Sequence, residues 1–108
     1  MDNIGTVDAV GTEPPIINDI RNRFSQTYSG TVNVPTMYEN IDVLTSDEII
    51  VIKPISDWSS GIGLLYVFHS IFPNRSKHLH LYNTGNNQLL LNKLITLTGS
   101  LSITLTVQ

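Results

Sequence analysis

The last fourteen residues, ITLTGSLSITLTVQ, alternate apolar side chains with Ser or Thr almost to the end of the chain. Successive side chains of a β-strand point to opposite faces, so a two-residue period is typical of a half-buried strand. Two arrangements keep this period in phase: a hairpin whose loop is Thr98, Gly99 and Ser100, or one strand that runs through Gly99. Both arrangements predict β-structure at this end of the sequence.

Strand-like segments also occur earlier in the sequence. DEIIVIKPI is a continuous apolar run of the kind found in strands buried on both faces, and KHLHLY alternates strictly. We interpret TVNVPTMYENIDVL, LLYVFHSIF and QLLLNKLITL as further strands, because clusters of Pro, Gly and Asn typical of turns separate them. The fold class predicted is mainly β, a small antiparallel β-sandwich or barrel of six or seven strands.

Residues 1–30 have a different composition from the rest of the chain. MDNIGTVDAVGTEPP is rich in small, acidic and turn-forming residues, which predicts an extended N-terminal arm. The residues that follow have apolar side chains at helical spacing, which predicts one short helix near 15–25. The domain organisation predicted is an arm with this helix over 1–30 and a β domain over 31–108.

The composition excludes several classes of protein. The chain has no cysteine, which removes disulfide frameworks, Cys-ligated zinc and thiol nucleophiles. No apolar run approaches the roughly 18 residues of a membrane-spanning helix, so we expect no membrane partner. The N-terminus lacks a basic start followed by an apolar run, so no secretion signal is expected.

Charge is divided unevenly along the chain. Residues 1–58 hold nine acids and three bases, a net charge of −6, whereas residues 59–108 hold three bases and no acid, a net charge of +3. Either the C-terminal half is mostly core, or the two halves complement each other within a chain or between neighbouring chains. Bases this scarce, without Arg clusters or interleaved aromatics, argue against nucleic acid as a partner.

Three histidines are the main candidates for chemistry. His78 and His80 lie on the same side of a predicted strand, near the separation that a metal ion can bridge, and His69 is a third candidate ligand. Polar residues at alternate strand positions explain the spacing equally well, so the sequence predicts no metal and no cofactor. It also contains no nucleophile elbow or phosphate-binding loop, so we expect no enzyme.

Aromatic residues provide an alternative function. SDWSSGIG is interpreted as a loop that presents Trp58, and Tyr66 and Tyr82 could extend a ligand platform. This pattern is compatible with a β-sandwich module that binds a carbohydrate or a protein surface. The competing interpretation is that Trp58 closes one end of the sandwich and Tyr66 belongs to its core.

The features together favour an assembly subunit. An arm, a short helix with one apolar stripe and a terminal strand that needs a partner predict a non-enzymatic structural protein that forms homo-oligomers or binds other particle subunits. Viral and phage structural proteins often combine such an arm with a β-barrel or sandwich. By this analogy we expect a shell, cement or tail component of a virus or phage particle, located in the virion or the host cytoplasm. The predicted interface residues are Ile16, Ile20, Phe24, Leu101, Ile103, Leu105 and Val107.

Overall fold

Helices and strands alternate along most of the chain. The computed structural model describes residues 14–108, of which 46% are helical and 28% are in strands. No helix within this range is long and apolar enough to cross a lipid bilayer. The elements are α1 (Pro15–Tyr28), β1 (Thr31–Val34), β2 (Ile41–Leu44), β3 (Glu48–Pro54), a 3-10 turn (Ile55–Asp57), α2 (Trp58–Ile71), β4 (Ser76–Tyr82), α3 (Gln88–Ser100) and β5 (Ile103–Val107).

The five strands form one mixed sheet whose spatial order follows the chain. β1, β2 and β3 are an antiparallel meander, whereas β3, β4 and β5 are parallel. Parallel neighbours need a crossover connection, and α2 and α3 supply the two crossovers. The register places Ile50 beside His78 and His80 beside Thr106.

Helices cover both faces of the sheet. α2 and α3 pack on one face, where Leu65, Phe68 and Leu94 join strand residues such as Val51 and Leu79 in an apolar cluster. α1 packs on the opposite face over β1, β2 and β3. Its buried residues Ile17, Ile20 and Phe24 contact a second cluster that contains Val43, Ile50 and Ile52. The architecture is therefore a three-layer α/β fold.

The prediction of a mainly β sandwich or barrel with one short helix is wrong. LLYVFHSIF lies in α2 and QLLLNKLITL lies in α3. The buried residues of α3, Leu91, Leu94 and Thr98, recur at helical spacing. A continuous apolar run does not distinguish a buried strand from a buried helix. In residues 95–102, Ser and Thr alternate with mostly apolar residues, which gave the helix the two-residue period of a strand.

Both C-terminal arrangements that the alternation predicted are also wrong. Thr98, Gly99 and Ser100 form the last turn of α3, and only residues 103–107 are a strand. Ser102, with a φ of 56°, makes the turn between them. Ile95 is largely exposed on the helix, so its place in the alternation carries no packing role in the sheet.

Four of the predicted elements are confirmed. TVNVPTMYENIDVL contains β1 and β2, one on each side of Pro35. DEIIVIKPI contains β3, whose four central residues are buried, and KHLHLY lies within β4. The helix predicted near 15–25 exists as α1, which begins after Pro14 and continues to Tyr28. Ser29 ends it in the left-handed conformation, a common helix C-cap. Most of the predicted extended arm, residues 1–13, lies outside the described residues.

Candidate functional site

The predicted interface residues lie mostly inside the fold. Ile20 and Phe24 are buried under α1, and Ile103 belongs to the cluster under α2 and α3. Leu101 and Leu105 pack partly against that same cluster, whereas Ile16 and Val107 are exposed. β5 pairs with β4 on one side, and no strand of residues 14–108 pairs with its other edge. Pairing of that edge with another chain stays a prediction.

The prediction that Trp58 lies in a loop is wrong, whereas a ligand role for Trp58, Tyr66 and Tyr82 stays a prediction. Trp58 is the first residue of α2, not part of a loop, and it packs partly buried against the apolar cluster. Tyr82 is only 2% exposed. Tyr66, by contrast, is 45% exposed on α2, so it is the most exposed residue of this predicted set.

His78 and His80 are brought together by a shared threonine on the α1 side of the sheet. His78 Nε2 lies 2.8 Å and His80 Nδ1 lies 2.7 Å from Thr106 Oγ1. His80 Nε2 lies 2.9 Å from Gln108 Oε1, an oxygen that also accepts a hydrogen bond from Arg23. The adjacent parallel strands β4 and β5 hold this chain of polar groups in register.

The hydrogen-bond partners determine which ring nitrogen of each histidine carries the proton. Gln108 Oε1 only accepts, so His80 Nε2 donates to it, and His80 Nδ1 accepts from the Thr106 hydroxyl. Thr106 then accepts from His78 Nε2. His78 Nδ1 lies 3.2 Å from Glu48 Oε2 but lacks hydrogen-bond geometry. A further proton at His78 would therefore form an ion pair with Glu48.

This histidine cluster is a buried structural network. His78 and His80 are 2% and 4% exposed, and the Phe24 ring packs against both imidazoles in a T-shaped arrangement. Burial lowers the pKa of His80. His69 lies on α2, on the other side of the sheet, so it does not join the pair. Within residues 14–108, no three His, Asp or Glu residues are grouped as metal ligands.

A buried ion pair joins α1 to β2. Arg21 Nε and Nη2 lie 2.9 Å and 2.8 Å from Asp42 Oδ1. The other carboxylate oxygen accepts a hydrogen bond of 2.8 Å from the Ile52 backbone N–H. Burial raises the pKa of Asp42, while the donors from Ile52 and Arg21 act in the opposite direction. The pair fixes the position of α1 over the antiparallel part of the sheet.

A cavity of about 740 Å³ lies beside this pair. Its walls include Arg21, Asp42, Lys53 and Asp57. Both cations already face a carboxylate, because Arg21 binds Asp42 and Lys53 lies 4.0 Å from Asp57. The cavity therefore offers little net attraction to an anionic ligand.

A different surface combines cations with aromatic rings where α2 ends and β4 begins. Lys77 Nζ lies 5.0 Å from the centre of the Tyr66 ring, and the Arg75 guanidinium lies 4.8 Å from the centre of the Phe72 ring. Both distances are within the range of cation–π attraction. His69 follows Tyr66 by three positions in α2, so the two side chains share a helix face. We call this surface the basic rim; its residues are Tyr66, His69, Phe72, Arg75 and Lys77.

The charge around the basic rim is predominantly positive. The chain carries no acid after Asp57, so neither α2 nor β4 supplies a carboxylate to it. Asp47 lies at its border, where the backbone oxygen accepts hydrogen bonds from Ser76. Glu48 pairs with Ser76 in the sheet register, but its side chain lies on the opposite face, beside His78.

The sequence did not reveal the basic rim because its parts are separated along the chain. Arg75 and Lys77 counted only as two of the three bases in residues 59–108, and Tyr66 was assigned to a core or a ligand platform. A helical interpretation of residues 58–71 would have placed Tyr66 and His69 on one face. That same helix would end close to Arg75, which completes the cluster.

Comparison with known proteins identifies relatives in Acanthamoeba polyphaga mimivirus. One, named a KilA-N domain-containing protein, is 35% identical over 71 residues, which are 66% of this chain and 29% of the relative. A second protein with that description is 30% identical over 70 residues, 65% of this chain and 20% of the relative. A third is 28% identical over 58 residues, 54% of this chain and 16% of its own length. The chain therefore spans less than a third of each relative.

No protein-family model and no solved structure matches the chain. The relatives nevertheless correct the predicted function. They are named for a KilA-N domain and not for a shell, cement or tail component. The prediction of a structural capsid or virion subunit is therefore wrong. The argument against nucleic acid as a partner also loses its support.

Proposed function

We propose that this chain is a non-enzymatic DNA-binding module of a viral protein, and that it contacts DNA through the basic rim. The relatives are named for the KilA-N domain, which is a DNA-binding domain, and the proposal extends DNA binding to this chain. The module would act in the infected host cell, where viral DNA is present. Because the chain spans only part of each relative, the activity of the whole protein is part of the proposal.

One observation carries this proposal beyond the names of the relatives. The basic rim holds two cation–aromatic pairs, and no acidic side chain is present among residues 59–108. Lys and Arg neutralise phosphates, and aromatic rings stack on bases. By contrast, the cations in the wall of the large cavity already face carboxylates. Among the described surfaces, the basic rim therefore best fits a nucleic acid.

The test is fluorescence anisotropy of labelled DNA, single-stranded and duplex, titrated with the full 108-residue chain across a salt series. We expect binding that weakens as salt rises, because each neutralised phosphate releases counterions. Arg75→Gln and Lys77→Gln should each weaken binding and reduce the slope of log K against log salt by about 1.

Lys93 provides a matched control for these two variants. It is the third base of residues 59–108, and it is exposed on α3, outside the basic rim. Lys93→Gln removes the same charge, so it should leave binding and the salt slope nearly unchanged. Absence of binding to both probes at low salt would overturn the proposed function. An equal loss of affinity in Arg75→Gln, Lys77→Gln and Lys93→Gln would mean that the overall charge of the chain attracts DNA. That result would contradict the basic rim as the binding surface.

A further inference from the structure

Tyr66 is the most accessible aromatic ring of the basic rim. It keeps 45% of its surface exposed although the ammonium group of Lys77 lies over its ring. Tyr66 does not belong to the apolar cluster under α2 and α3, whereas Phe72 packs partly against that cluster. Phe72 is therefore an anchor that positions a cation, and Tyr66 is the ring that remains open to a partner. A base offers a flat π-face that stacks on such a ring whatever its sequence.

Arg75, the other cation of the basic rim, keeps unused hydrogen-bonding capacity. Its Nη1 has no hydrogen-bond partner among residues 14–108, although that atom is buried. The ring of Phe72 holds the guanidinium. Buried donors without a partner are rare in folded proteins. A phosphate or base oxygen that drew the guanidinium outward would supply the acceptor that the fold does not.

A small cavity adjoins the same guanidinium. It measures about 180 Å³ and is lined by Ile71, Phe72, Pro73, Asn74 and Arg75. Pockets for drug-sized ligands are usually about 300–1,000 Å³. This cavity is therefore too small for a drug-sized ligand, but it leaves room beside the guanidinium for one small group such as a phosphate.

The basic rim is poorly matched to a duplex. Recognition of duplex DNA commonly inserts a helix or a β-ribbon into the major groove, but α2 and α3 are both packed against the sheet. The lysine and the arginine of the basic rim are also few beside the 6–10 phosphate contacts of a strongly salt-dependent duplex binder. In a duplex the bases are already stacked on one another, so an exposed tyrosine gains little from them.

We propose that the basic rim binds unpaired nucleotides, so that the module prefers single-stranded DNA to duplex DNA. This inference rests on the proposed function and specifies its substrate. A base stacks on Tyr66, while Lys77 and Arg75 contact the flanking phosphates. The stacking contact is insensitive to salt, so single-strand affinity persists at salt concentrations where two phosphate contacts alone fail.

The experiment compares a labelled 16-nucleotide strand with the same strand annealed to its complement, using the full chain. Tyr66→Ala removes the ring, and Tyr66→Phe keeps it and is the matched control. We expect the chain to bind the single strand more tightly than the duplex. Tyr66→Ala should lower the single-strand affinity about fivefold or more, and Tyr66→Phe should change it little. The salt slope of Tyr66→Ala should equal that of the unmodified chain, because no charge is lost.

The outcomes separate this inference from the function on which it rests. Equal or tighter duplex binding would overturn the single-strand preference and leave DNA binding intact. Binding to neither probe would overturn both. Unchanged single-strand affinity in Tyr66→Ala, with native circular dichroism, would overturn stacking on this ring. If Tyr66→Ala loses its native spectrum, the comparison of Tyr66→Phe with Tyr66→Leu decides, because stacking predicts that only the leucine variant weakens binding.

Discussion

The two faces of the sheet are covered by different kinds of side chain. Under α2 and α3 the contacts are apolar, with Leu65, Phe68 and Leu79 fully or almost fully buried. Under and beside α1, apolar residues share the interior with the Arg21–Asp42 ion pair and with the histidine network. One face is therefore stabilised mainly by its packed area, and the other depends in addition on a few directional contacts.

This difference indicates how each face responds to change. An apolar contact loses free energy roughly in proportion to the area exposed or the cavity left, so its losses are graded. A buried polar group that loses its partner keeps its full desolvation cost. We therefore expect the largest single-residue effects on the α1 side, although its apolar cluster is the smaller of the two.

The first prediction breaks the α1 side at its ion pair. Asp42→Ala leaves the guanidinium of Arg21 and the backbone N–H of Ile52 buried without this acceptor. Loss of one partner from a buried pair costs about 3–5 kcal/mol of unfolding free energy. Urea unfolding followed by circular dichroism measures it. Asp47→Ala, which removes an exposed carboxylate, is the control and should change stability by less than about 0.5 kcal/mol.

The second prediction uses the other half of the same pair. Arg21→Met should cost less than Asp42→Ala, because burial already raises the pKa of Asp42 and the carboxyl group can neutralise itself by taking up a proton. In Asp42→Ala the guanidinium of Arg21 cannot become neutral in the same way, since arginine stays charged in proteins. If the methionine variant proves the less stable of the two, packing of the Arg21 stem outweighs its charge, and the α1 side is not governed by its polar contacts.

Neither this pair nor the basic rim could be identified from the sequence, although parts of the fold could. The strand over 48–54 and the helix that starts at Pro15 were predictable, because a β-branched apolar run and a helical apolar stripe are local patterns. Arg21 and Asp42 are 21 positions apart and meet only when α1 docks on β2. The basic rim likewise required residues 58–71 to be a helix, and their apolar run is equally compatible with a strand.

The third prediction tests how tightly the apolar side is packed, with two glycines of α2. A Cβ on Gly61 would lie 2.6 Å from the Leu79 side chain, whereas one on Gly63 would meet nothing within 4 Å. Gly61→Ala should therefore cost about 1–3 kcal/mol through overpacking, partly offset by its better helix propensity. Gly63→Ala should stabilise by about 0.5–1 kcal/mol. Two stabilised variants would mean that Leu79 moves freely and that this face is loosely packed.

The fourth prediction is the smallest, and it uses pH to separate the two faces. Burial lowers the pKa of His80 below its usual 6.5, so the unfolded chain binds a proton more readily than the folded one. The stability that His80 contributes is therefore complete above about pH 6.5 and is lost as pH falls through the folded pKa. Urea unfolding from pH 7.5 to 5 should show a decline that His80→Gln reduces. His69→Gln, on the α2 side, is the matched control; if it reduces the decline equally, the acid sensitivity does not reside in the network under α1.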